Sequence, residues 1–286
     1  MKIFILKLGA LGDVVRTTPI LKVLKGDITW FTKEKPAELL KGLIEISNLI
    51  TNIDEIKDKK FDLAVNFDDT EEACSLFNQV DAKKKIGFYF ENGYLTCSKS
   101  AREYYAMSLN GGKDKDLLKK NNKKSYQEFI FEIVGKKFKG EKPLINITPE
   151  KGTFIGLEPT ASSRWPLKKW DKYNELKIKL EKAGFKVIVF KEHKTLKEYA
   201  EEINKCNIIV CNDSLALHIA SALNKKVIAF FGPTPAAEIY DYNLIKKIET
   251  HLDCKVCMKN SCDKNPNCMN IISLEQVYNE VRRMIQ

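Results

Sequence analysis

Short apolar, β-branched runs alternate with amphipathic stretches along nearly the whole chain, and this alternation decides the class of fold. Residues 2–8 read as a first strand. The loop Gly9-Ala10-Leu11-Gly12-Asp13 leads into a helix over 14–25, in which Pro19 predicts a kink or an early start. Strands follow at 28–32, 61–67 and 84–89, with a helix over 36–43. Residues 125–135 form an amphipathic helix with Tyr126, Phe129, Ile130 and Ile133 on one side. The irregular stretch 141–153 is the candidate linker. A second series then begins: a strand at 153–157, and a helix over 166–183 that buries Leu167, Trp170, Tyr173, Leu176 and Leu180. Next come a strand at 187–190 and a helix over 195–204 opened by the capping box Thr195-x-x-Glu198. The series closes with a strand at 207–211, a helix over 214–223 and a strand at 227–231. Such alternation implies parallel sheets covered by helices on both faces. Two series predict two Rossmann-like α/β lobes facing across a cleft, with ligands at the carboxyl ends of the strands. The expected division is 1–145 and 150–270. A final helix over 273–286 is expected to be able to pack back on the first lobe.

Composition narrows the class further. A chain of 286 residues with 44% hydrophobic and 30% charged residues is globular and long enough for two cores. Lys7 and Asp13 interrupt the apolar start, and no small-residue cleavage pattern follows, so no signal peptide is expected. No apolar stretch approaches 18 residues, which predicts a cytoplasmic protein without a membrane span. The formal charge is +10. Residues 113–142 concentrate ten lysines against five acids, a face suited to phosphates of a glycolipid or a membrane surface, or simply a solvated one. Nucleic acid is not expected as a partner, since no recognised binding module accompanies the charge.

Several motifs carry a resemblance. Leu8-Gly9-Ala10-Leu11-Gly12-Asp13-Val14-Val15-Arg16-Thr17-Thr18-Pro19 resembles the opening motif of glycosyltransferase family nine, which contains the ADP-heptose:lipopolysaccharide heptosyltransferases. Asn212-Asp213-Ser214-Leu215-Ala216-Leu217-His218-Ile219-Ala220, running on to Phe231-Gly232-Pro233-Thr234, resembles that family's donor-site motif. Arg164-Trp165-Pro166, Ser125-Tyr126-Gln127-Glu128 and Cys254-x-x-Cys257 are similar to further family features. The resemblance implies a GT-B-type architecture and an inverting, metal-independent transfer of a heptose from a nucleotide sugar, ADP-heptose, to a lipopolysaccharide inner-core acceptor. It also implies peripheral contact with the inner membrane.

The chemistry can be followed on the residues. An acceptor hydroxyl attacks an anomeric carbon only as a base takes its proton. Asp13 stands where a strand ends and a helix begins, and Gly9 and Gly12 leave room for substrate, with Arg16 on the same acceptor-side loop. The resemblance makes Asp13 the base; an ordinary helix N-cap is the alternative. Asp213 and Ser214 precede a helix whose N-terminal N–H groups suit a pyrophosphate. By resemblance, Asp213 binds sugar hydroxyls and His218 lines the same pocket, with Leu215, Thr160, Gly232 and Thr234 around them. Arg164 and Lys168 are candidates for the positive charge that a departing pyrophosphate needs.

The pattern is also broken in places. Leu215 stands where the family usually has glycine, Ser163 where it has lysine, and Pro159-Thr160 replaces Pro-Gly. The stretch 191–194 spans a gap that the family fills with a glycine-rich turn, an acidic residue and a further helix–strand unit, leaving Glu192 as the candidate ribose contact. These departures keep open a second reading, a non-catalytic sugar-nucleotide-binding or scaffold relative. Finally, Cys254, Cys257, Cys262 and Cys268 fall within fifteen residues. Four thiolates so spaced fit a structural zinc site, with disulfides or free thiols as alternatives. No cofactor is expected for catalysis.

Overall fold

The computed structural model describes residues 1–108 and 110–285, in two compact units, Met1–Asn146 and Ile147–Gln286.

In the first unit the strands are β1 (Lys2–Leu6), β2 (Asp27–Phe31), β3 (Asn48–Ile50), β4 (Lys60–Asn66), β5 (Asp81–Glu91) and β6 (Tyr94–Cys97), in the order β3-β2-β1-β4-β5-β6. All neighbours are parallel except β5 and β6. Those two form a hairpin over Asn92-Gly93, both with positive φ, a pair whose backbone twist matches that of the flanking strands. Strand periodicity shows directly in the core. Ile3 and Ile5 join Val14, Trp30, Val65 and Tyr126 in one cluster, while Phe4 and Leu6 join Phe31, Phe61 and Phe77 in another. Both faces of β1 are therefore buried, as a central parallel strand requires. The covering helices are α1 (Leu11–Thr17), α2 (Glu34–Leu40), α3 (Glu71–Asn78), α4 (Arg102–Ala106), α5 (Lys115–Asn121) and α6 (Tyr126–Ile133). Pro19 ends the first helix early: α1 stops at Thr17 and a 3-10 turn, Thr18–Lys22, continues the chain, because proline offers no N–H to the α-helical ladder.

The second unit has β7 (Phe154–Glu158), β8 (Val187–Val189), β9 (Cys206–Asn212), β10 (Lys226–Phe231) and β11 (Ile245–Glu249), in the order β11-β10-β9-β7-β8, all parallel. Its helices are α7 (Tyr173–Lys182), α8 (Leu196–Asn204), α9 (Leu215–Ala222) and α10 (Leu274–Ile285). The capping box at Thr195 and Glu198 forms in both directions.

One expectation needs correction. The helix predicted over 166–183 is a 3-10 turn, Pro166–Lys168, followed by an extended break, and α7 begins only at Tyr173. The break is held by tertiary bonds that helical geometry would forbid. The Trp170 backbone N–H donates to Asn212 Oδ1 at 3.2 Å, and its indole N–H to the Ile272 carbonyl at 3.0 Å. The C-terminal helix, in turn, spends its apolar stripe within its own unit. Val277 and Val281 are fully buried beside Leu176, Leu180 and Phe230.

Candidate functional site

In an open parallel sheet, ligands sit beyond the carboxyl ends of the strands where the winding direction reverses. In the second sheet that point lies between β7 and β9, and the predicted donor-side residues gather there and at the end of β10. Asn212, fully buried at the end of β9, is the hub. Its amide donates to the Thr160 carbonyl at 3.1 Å, and its oxygen accepts from the Trp170 N–H and from the Tyr173 hydroxyl at 3.2 Å. Glu158, at the end of β7, accepts from both the N–H and the hydroxyl of Thr160 and, on its other oxygen, from the Tyr199 hydroxyl. Thr160 is thus pinned at its N–H, hydroxyl and carbonyl.

Asp213 does not cap a helix. Its carboxylate accepts from Lys168 Nζ at 2.6 Å and from the Thr234 hydroxyl at 2.9 Å. Burial pushes its carboxyl up, but the Lys168 ammonium, with help from His218 and Thr234, wins and brings it down to about 2. The N-cap of α9 is Ser214, whose hydroxyl makes no capping bond. That hydroxyl is buried with no hydrogen-bond partner among the described residues. The first-turn N–H groups of α9 therefore lack a side-chain acceptor, a geometry that favours an anion. Leu215 opens the helix half-buried, and His218 is buried one turn on. Arg164 stays exposed and does not join this cluster.

The cysteine segment buttresses the same turn. The N–H groups of Val256 and Met258 donate to the carbonyls of Gly232 and Pro233 at 2.8 and 3.0 Å. A Cβ on Gly232 would lie 2.5 Å from the Cys268 sulfur. The zinc expectation finds no support in this arrangement. Among the described residues no group of three or more His, Cys, Asp or Glu side chains is placed to hold a metal, and all four cysteines are free. Cys268 is buried beneath Gly232 while Cys262 is exposed. Burial, and then the neighbouring thiols, push the Cys268 thiol up to about 11, far from a ready thiolate.

In the first unit the winding reverses between β1 and β4, and a second polar cluster sits there. The N-cap of α1 is Ala10, so Asp13, in the first turn, is not the cap either. Its carboxylate pairs with Arg16 at 3.0 Å, and 34% of the side chain is exposed against 11% for Arg16. The Arg16 guanidinium lies over the Tyr126 ring at 4.0 Å. Tyr126 is fully buried, with its hydroxyl 2.8 Å from the Thr17 hydroxyl, and burial raises its pKa. Gly9 and Gly12 flank the turn, and a Cβ on Gly9 would meet open space. Beneath this turn Lys7 and Asp68 form a buried ion pair that the motif reading missed. The only local signal was a charged residue at the end of an apolar run.

Comparison with known proteins bears on the cluster of the second unit. Residues 192–267 match the family model described as glycosyltransferase family 9 (heptosyltransferase). That match includes Asp213, Ser214, His218, Gly232 and Thr234. This segment, about a quarter of the chain, is similar to glycosyltransferase family 9. It is 29% identical over 114 residues to lipooligosaccharide heptosyltransferase 2 of Campylobacter jejuni serotype O:6, a match that covers 39% of this chain and 36% of that relative. The chain thus aligns with about a third of the length of this curated relative. The glycosyltransferase family 9 structure from Veillonella parvula superposes with a TM-score of 0.74 at 18% identity, over 99% of this chain and 97% of that one. E. coli heptosyltransferase WaaC with ADP gives 0.68 at 14% identity, over 99% and 100%. At such identities the solved structures speak to fold alone, and the fold is that of this glycosyltransferase family: α/β, with two Rossmann-like lobes.

Proposed function

We propose that this chain is a member of glycosyltransferase family 9, an inverting enzyme that moves a heptose from ADP-heptose to the inner core of lipopolysaccharide. The observation that carries the reading is the Asp213 turn. It lies inside the segment matched by the family model, at the carboxyl ends of the second sheet, with an uncapped helix end beside it. The C. jejuni relative is named as a lipooligosaccharide heptosyltransferase, and the E. coli structure holds ADP.

In the proposed reaction Asp13 takes the proton from the acceptor hydroxyl as that oxygen attacks the anomeric carbon, inverting it while the nucleoside diphosphate leaves. The first-turn N–H groups of α9, Thr160 and the Lys168 ammonium receive the pyrophosphate charge, and Asp213 and His218 line the sugar site. Gly9, Gly12 and Arg16 frame the acceptor. Gly232 and Thr234 contribute to the donor side. No metal is needed for this route, because fixed donors and a helix end supply the positive field. The acceptor is anionic, and the basic stretch 113–142 is proposed to meet it at the cytoplasmic face of a membrane. Among the described residues no helix is long and apolar enough to cross one.

A mass-detected donor screen tests this. Wild-type protein is incubated with ADP-heptose, or with UDP- and GDP-sugars, and heptose-deficient lipopolysaccharide. Transfer is expected from ADP-heptose alone, with at least about a hundredfold loss in Asp13→Ala, a typical weight for a general base. Equal transfer by wild type and Asp13→Ala would overturn the base. Binding of ADP-heptose without turnover on any acceptor would favour the non-catalytic reading.

A further inference from the structure

A lysine at the end of an apolar central strand is costly to bury, and Lys7 is 3% exposed. Its ammonium meets the Asp68 carboxylate and, at 3.4 Å, the Phe67 carbonyl. Asp68 has two tasks. One oxygen takes Lys7, and the other accepts the N–H of Leu8 and, at 3.4 Å, that of Gly9, the first residues of the loop that runs into Asp13. Asp68 is itself fixed: its N–H donates to Asn66 Oδ1 at 2.9 Å, and the Asn66 amide donates to the Phe88 carbonyl at 2.8 Å. Leu6 and Asn66 are register partners, so the pair sits directly on the β1–β4 reversal. A well-packed apolar pair at such a place is commonly no less stable than an ion pair, so stability alone does not account for the charges.

We propose that Lys7 and Asp68 are a positioning pair for Asp13: Asp68 pins the loop that carries it, and the Lys7 ammonium, held by Asp68, keeps its carboxylate ionised and ready to take a proton. This rests on the reading of Asp13 as the base. The groups facing Asp13 among the described residues include Lys7 just past β1, Asp68 just past β4, Arg16 of α1 and the Tyr126 phenol of α6. Burial keeps the phenol neutral, so two cations and two carboxylates balance. Asp68, with smaller help from Tyr126 and Asp13, more than offsets the burial of Lys7 and raises its pKa, so the proton stays on the amine. Deleting the Lys7 charge leaves two carboxylates competing for Arg16, and one of them must take up a proton more readily. Deleting the Asp68 charge leaves Lys7 with Asp13 as its remaining carboxylate.

The experiment is a carbon-13 carboxyl NMR titration of aspartate-labelled full-length protein, with the Asp13 signal assigned by its loss in Asp13→Asn. Relative to wild type, Lys7→Met is expected to raise the Asp13 midpoint by about one pH unit, a tenfold gain in proton affinity. Asp68→Asn, which keeps an acceptor for Leu8, is expected to lower it by roughly half a unit. Lys7→Arg should restore the wild-type midpoint. Should Lys7→Met fail to fold, Asp68→Asn and Lys7→Arg still decide. An unmoved midpoint in folded Asp68→Asn overturns the proposal. The titration needs no turnover, so it is separate from the reaction: if Asp13→Asn transfers sugar as well as wild type, the base assignment falls while the midpoints still report on the pair.

Discussion

At the scale of single residues, Asp213 shows how one contact can govern both stability and site chemistry. Lys168 and Asp213 keep 14% and 16% of their side chains exposed, so their ion pair is only partly shielded from water. Lys168→Met should therefore cost about 2 kcal/mol at pH 7, below the 3–5 kcal/mol of a fully buried broken pair. The sign with pH follows from the lowered carboxyl. A group depressed to about 2 in the folded protein contributes stability above its unfolded value of about 4, and loses it as pH falls through the folded value. The gap between wild type and Lys168→Met in urea unfolding should stay constant from pH 7 to 5 and narrow from pH 4 downward. A gap that holds its size to pH 3 would mean that the lysine acts through packing and not through its charge.

At the scale of elements, the turn after β10 depends on a segment with no regular structure. Gly232 has the Cys268 sulfur under its Cα and receives Val256 through its carbonyl. Gly232→Ala should push the cysteine segment away and displace Thr234 from Asp213. We expect at least about a tenfold weaker binding of ADP-heptose by calorimetry and a loss of about 1–3 kcal/mol from overpacking. Pairing it with Cys268→Ala, which removes the clashing sulfur, should recover part of both; no recovery would show that the cysteine is not the obstacle. The same element shows what the sequence could and could not tell. Asp213, Ser214 and His218 lie within one motif and were legible together. The bonds that hold them were not, because Asn212 to Trp170, Glu158 to Tyr199 and Lys7 to Asp68 span 42, 41 and 61 residues and no local spacing encodes them. Periodicity found the long central strands, whose two faces are both buried. It missed β3, only three residues long, and α3, although Thr70 caps it. It ran α7 seven residues too far back, to Pro166, since Trp170 fits a helical stripe while its N–H is already committed to Asn212. The β5–β6 hairpin did have a local signal, Asn92-Gly93, and could have been read from it.

At the scale of the whole molecule, the formal charge of +10 asks where an anionic partner would land. The stretch around α5 combines charge with exposed apolar surface, since Leu117 is 60% and Leu118 43% exposed among lysines on either side. Lys124 is committed to Glu103 and Glu132. The other lysines of 113–123 exceed Asp114 and Asp116 by three charges. At about 1 kcal/mol per basic residue near an anionic surface, three net charges supply roughly 3 kcal/mol, enough for reversible but not permanent attachment. Two leucines entering the interface would add to this without depending on salt. Sedimentation with vesicles containing phosphatidylglycerol should therefore show binding that weakens steeply between 0.05 and about 0.3 M salt, as screening shortens the reach of the charges. Leu117→Ser with Leu118→Ser should leave the salt slope intact and lower the binding at every salt concentration. Replacing Lys113, Lys119 and Lys120 by glutamine should flatten the slope instead. If neutral vesicles bind equally well, or neither set of substitutions matters, the basic face is ordinary solvated surface and the acceptor must be met elsewhere.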